Sequence, residues 1–66
     1  MIENMDEYKR TKEILKQDQI AIDEFRKEME SRNMPPEHIK LALDPMITFA
    51  LGLKEEIQAY ESQHNL

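Results

Sequence analysis

Ile39-Lys-Leu-Ala-Leu43-Asp-Pro45-Met46-Ile-Thr-Phe-Ala50-Leu-Gly-Leu53-Lys-Glu-Glu-Ile57-Gln-Ala-Tyr60-Glu-Ser-Gln-His64 is the stretch that decides the fold. Ile39, Leu43, Met46, Ala50, Leu53, Ile57, Tyr60 and His64 follow one another at alternating steps of four and three without a slip. Such spacing returns a side chain to the same face of an α-helix and marks the seam of a packed helix. The phase survives Asp44-Pro45, which would otherwise read as a capping aspartate before a new helix. Proline removes a backbone donor and disfavours a helix interior. Two readings therefore stand: one nearly continuous helix over about 36–62, kinked at 44–45, or a helix broken there. The unbroken register favours the first.

Upstream, Asn33-Met34-Pro35-Pro36 is a stop-and-start signal. Proline at 35 disfavours helical geometry at Met34, and Asn33 tolerates the left-handed conformation common just past a helix end. Pro36 can open the next helix, where its missing N–H costs nothing. The turn is placed at 33–35. Before it, residues 3–32 hold neither proline nor glycine and are rich in good helix formers. Tyr8, Leu15, Ile22 and Met29 recur at steps of seven, with Thr11, Ile14, Ala21 and Phe25 beside them. Lys9, Lys12, Lys16, Asp23 and Lys27 lie on the other flank. This predicts an amphipathic helix over about 3–32. Residues 1–66 thus read as a single all-α domain, a two-helix antiparallel hairpin.

A hairpin alone leaves too much apolar surface in water. Ten of the fifteen residues from Ile39 to Leu53 are apolar, and they surround most of the helix. Ile47 and Leu51 lie about 60° and 100° from Ala50, and Phe49 about 100° the other way. One partner helix cannot cover both flanks. The expected solution is a twofold homodimer whose hairpins form a four-helix bundle, with Leu43, Met46, Ile47, Phe49, Ala50, Leu51, Leu53 and Ile57 at its interface. Size points the same way. In 66 residues, ordering opposes folding by about 1.5 kcal/mol per residue, which apolar burial only roughly offsets. The chain has no cysteine, so neither a disulfide nor a thiolate metal site is available.

Composition excludes several classes. Nine basic and 14 acidic side chains give a net charge of −5, the wrong sign for direct binding to nucleic-acid phosphates. No apolar run approaches the ~20 residues that cross a bilayer, so no membrane partner is expected. Met1-Ile2-Glu3-Asn4-Met5-Asp6 has neither the basic region nor the apolar core of a secretory signal. A cytoplasmic location is the expectation. Disorder, suggested by 35% charged residues, is opposed by the regular apolar spacing.

The chemistry-bearing residues are few. Asp18 lies near the middle of the first apolar stripe, between Ile14, Leu15, Ile22 and Phe25. It is a buried-polar candidate that would fix register, pair across the bundle or hold a metal; the simpler reading is a partly solvated edge facing Lys54 or water. Glu61-Ser62-Gln63-His64 has the Glu-x-x-His spacing of carboxylate-bridged di-metal bundles. Glu61 and His64 are accordingly weak metal candidates, in a terminal turn prone to fraying, with Glu3 or Glu7 as the nearest possible complement. His38 is read as a solvated residue near the hairpin tip. Neither histidine stands beside a nucleophile, and a single glycine, Gly52, allows no phosphate loop. No enzyme activity and no cofactor are expected. Lys9, Arg10, Lys12 and Lys16 read as a solvated face stitched by Asp6–Arg10, Lys9–Glu13 and Asp23–Lys27 pairs. The five methionines read as packing material.

Tyr8-Lys9-Arg10-Thr11-Lys12, followed by Leu53-Lys54-Glu55-Glu56-Ile57-Gln58-Ala59-Tyr60-Glu61, resembles the helical segment that precedes the helix-turn-helix domain in antitoxins and transcriptional regulators of the host-inhibition-of-growth type. The likeness spans roughly residues 7 to 61. In that family the segment leads into the DNA-reading domain; no recognition helix follows Glu61 here. The resemblance therefore implies the pairing or partner-binding part, acting through a DNA-binding regulator or toxin as protein partner. Three functional expectations result: a non-catalytic helical interaction and dimerisation module; an accessory component of a transcription-regulator or toxin–antitoxin system; and a small metal-binding helical bundle.

Overall fold

The computed structural model describes residues 1–66 as two helices, α1 (Met5–Ser31) and α2 (Pro36–His64), packed antiparallel in a hairpin 45 × 16 × 15 Å. There are no strands. α1 begins where Asn4 supplies a cap: its side-chain oxygen accepts from the Glu7 N–H at 2.9 Å, and the Glu7 carboxylate accepts from the Glu3 N–H at 2.8 Å. One first-turn donor that the helix itself cannot satisfy and the N–H just ahead of the cap are covered in this way.

Asn33 adopts the left-handed conformation, φ 58°. Met34 and Asn33 donate their N–H groups to the carbonyls of Met29 (3.2 Å) and Glu30 (3.0 Å). This is the paired closure of a Schellman turn, with Met34 packing back on the cluster that holds Met29. Pro35 then presents its carbonyl to His38 and Ile39 at 3.0 and 3.1 Å, opening α2 with Pro36 in its first turn.

Pro45 does not split α2, which runs uninterrupted from Pro36 to His64. The broken-helix reading is thereby corrected. Proline at 45 leaves the Leu41 carbonyl without its i+4 donor. Both residues lie on the exposed side of the helix, where water can replace it.

The seam forms two apolar clusters end to end. Ile22, Met29, Ile39, Leu43 and Ala50 make the one near the turn, and Ile2, Tyr8, Ile57 and Tyr60 the one near the chain termini. Leu15 touches both. On α2 the seam residues from Ile39 to Tyr60 are buried or half-buried, while His64 is exposed. On α1 the inward row is Tyr8, Thr11, Leu15, Asp18, Ile22, Arg26 and Met29. Ile14, Ala21 and Phe25, expected beside that row, face outward instead. α1 is rotated by its partner so that the arginine stem of residue 26 and the Asp18 carboxylate share the seam. A long arginine can cover apolar surface while its head stays wet.

Candidate functional site

The structure divides the eight residues expected at the dimer interface. Leu43, Ala50 and Ile57 are buried within a single chain, Leu43 to 2% exposure. Met46 and Leu53 are half-covered by the same seam. α1 has taken these five as its own packing partner, so they present little surface to a second copy. Only Ile47 (43%), Phe49 (56%) and Leu51 (54%) remain largely exposed.

Those three lie on opposite flanks of the hairpin. Around the turn, Arg26 and Glu30 of α1 border the same open depression as Lys40 and Ile47 of α2. Near the termini, Glu7, Arg10 and Ile14 of α1 border another with Glu56. Residues seven apart share a helical face, so Ile47 belongs with Lys40, and Phe49 with Glu56. Leu51, eleven residues or three turns beyond Lys40, falls on the Ile47 side. That side meets the charged flank of α1, which carries Lys12, Lys16 and Asp23. The Phe49 side meets the flank of α1 that carries Ile14, Ala21 and Phe25. Ile14 (48%) and Phe25 (42%) are themselves open to solvent. One face of the hairpin thus carries exposed apolar side chains on both helices; the other carries them only on α2.

Asp18 is half-buried on the edge of the apolar face. Its Oδ2 atom is buried and has no hydrogen-bond partner, and no ion pair to Lys54 forms. A buried acceptor left unpaired costs stability.

Glu61 and His64 are engaged elsewhere than at a metal. The Tyr8 hydroxyl donates to Glu61 Oε2 at 2.6 Å, and the His64 ring lies against Tyr60 with centroids 4.1 Å apart. Tyr8 stacks on Tyr60 at 5.0 Å, and the Lys12 ammonium sits 5.2 Å above the Tyr8 ring. No three histidine, aspartate or glutamate side chains gather where a metal ion could be held. Glu7, a possible complement, caps α1, and Glu3 offers only its backbone N–H there. The hydrogen bond to Glu61 raises the Tyr8 pKa above its ordinary value of 10.0, with burial and the Glu61 charge acting in the same direction.

Of the expected surface ion pairs only Asp23–Lys27 forms, at 3.1 Å. Lys9–Glu13 gives way to a Gln17–Glu13 hydrogen bond at 3.3 Å, and Asp6–Arg10 is absent. Glu28–Arg32 (2.8 Å) and the amino terminus with Glu56 (3.3 Å) pair instead. No helix is long and apolar enough to cross a membrane.

Ile2 was hidden from periodicity because it precedes the helix; its burial against Tyr8, Ile57 and Tyr60 depends on the chain doubling back over the open end. In comparisons with known proteins, no family model, no curated protein and no solved structure matches this chain.

Proposed function

We propose that the hairpin is a helical interaction module that pairs with a second copy of itself, two hairpins forming a four-helix bundle. The observation that carries this reading is surface area. The chain exposes 5191 Å², whereas a compact monomer of 7.9 kDa is expected to expose about 4,400 Å². The excess, roughly 800 Å², goes with the elongated 45 × 16 × 15 Å shape and equals in size the area that one partner buries in an interface of standard size. Among the exposed apolar side chains, Ile14, Phe25 and Phe49 share one face of the hairpin. Covering such a face removes apolar surface from water at about 25 cal/mol per Å².

The test is the dependence of melting on concentration. An assembly that forms only in the folded state raises the melting temperature as protein is added. Helical melting that shifts upward from 1 to 100 μM, and a Phe49→Glu variant in which the shift is lost, are the expected results. A melting temperature independent of concentration contradicts the proposal.

A further inference from the structure

Resting on that reading, we infer that the second copy docks on the Ile14–Ala21–Phe25–Phe49 face and runs antiparallel, so that α1 lies against the partner's α1. The face is chosen by the chemistry of its two flanks. The opposite side sets Ile47 and Leu51 beside lysines and aspartate of α1, which a second copy would have to desolvate. The chosen side carries exposed apolar side chains on both helices, with Asp18 at its inner edge and charge at its two ends.

Those charges identify the occupant and its direction. Along this flank of α1 the sequence reads Arg10, Ile14, Ala21, Phe25, Glu28, each on nearly the same face at steps of three, four or seven. Turned end for end, the series becomes Glu28, Phe25, Ala21, Ile14, Arg10. The acidic end of one copy then meets the basic end of the other, and Ile14 meets the partner's Phe25. A copy related by a twofold parallel to the helices would instead lay α1 against the partner's α2 and leave Arg10 and Glu28 apart. Arg10 forms no ion pair within its own chain, so its charge is free for the partner's Glu28, which already holds Arg32 at 2.8 Å in its own chain.

Register extends the match to α2. The Tyr8–Tyr60 stack fixes which residues of the two helices lie side by side, and the same offset sets residues 19–20 level with 48–49. The midpoint of the Arg10–Glu28 series falls at that level. Phe49 therefore lies close to the twofold axis and meets the partner's Phe49, an aromatic pair at the centre of the apolar face.

The chain has no native cysteine, which permits a clean test. Full-length chains carrying Ile14→Cys and Phe25→Cys are mixed and oxidised at low concentration, and the three possible disulfide products are counted. The antiparallel arrangement yields the mixed 14–25 product well in excess of the 14–14 and 25–25 products. In parallel, Arg10→Glu and Glu28→Arg each weaken dimerisation by roughly tenfold, since two symmetric contacts turn repulsive, and the double variant restores it. A dimer that forms with no excess of mixed product, and with no rescue by the double variant, overturns this arrangement while the pairing itself stands. A monomer throughout overturns both.

Discussion

Tyr8 and Glu61 stand 53 residues apart in sequence and are joined by a 2.6 Å hydrogen bond across the open end of the hairpin. The bond pins the first turns of α1 to the last turns of α2, in a region where helices otherwise fray. It also gives the glutamate of a Glu-x-x-His pattern a structural partner.

The pH consequence follows from the raised Tyr8 pKa. A group whose folded pKa lies above its unfolded value contributes stability that is complete below the unfolded pKa and disappears as pH rises through the folded one. The contribution is therefore intact up to about pH 10 and lost above it. Ultraviolet titration should find Tyr8 ionising late, with helicity falling as it does. Glu61→Gln should bring that titration back toward the ordinary value.

Leu43 is the most buried side chain of the seam. Leu43→Ala is expected to cost about 2–5 kcal/mol, comparable with everything a domain of this size has to spare. Urea unfolding followed by circular dichroism should show the midpoint collapse. A midpoint within experimental error of the unsubstituted chain would place Leu43 outside the core.

At the turn, Asn33→Gly and Asn33→Ala separate backbone conformation from side-chain chemistry. With φ at 58°, alanine should destabilise by about 1 kcal/mol, and glycine should be neutral or stabilising. Equal loss in both variants would mean that the asparagine side chain, not its backbone, holds the turn.

Asp18→Leu removes a buried acceptor that has no partner. Helicity should persist and the melting temperature should rise, because the substitution exchanges an unpaired polar atom for apolar contact. A marked fall would show that the carboxylate makes an essential bond in the assembled protein.

How far the sequence carries can be traced residue by residue. The seam of α2 was legible because apolar residues at steps of three and four leave one choice of face, and the turn because Asn33, Pro35 and Pro36 restrict backbone geometry. α1 was less legible. Its apolar and polar residues divide less sharply, so spacing alone does not separate Ile14 and Phe25 from Leu15, and only packing against α2 shows that Asp18 and Arg26 occupy the seam. The Tyr8–Glu61 bond was invisible for a different reason: it depends on the offset between helices, which the geometry of the turn sets. Spacing alone also made Leu43, Ala50 and Ile57 candidates for a dimer interface, because a seam residue looks the same whether its partner is the other arm or another chain.

Sedimentation equilibrium over a hundredfold range of concentration tests the pairing of two hairpins most directly. The expected result is a mass twice the 7.9 kDa of one chain at micromolar concentration, falling toward the single-chain mass on dilution. A mass of one chain at every concentration, from protein that is helical and melts cooperatively, would contradict it.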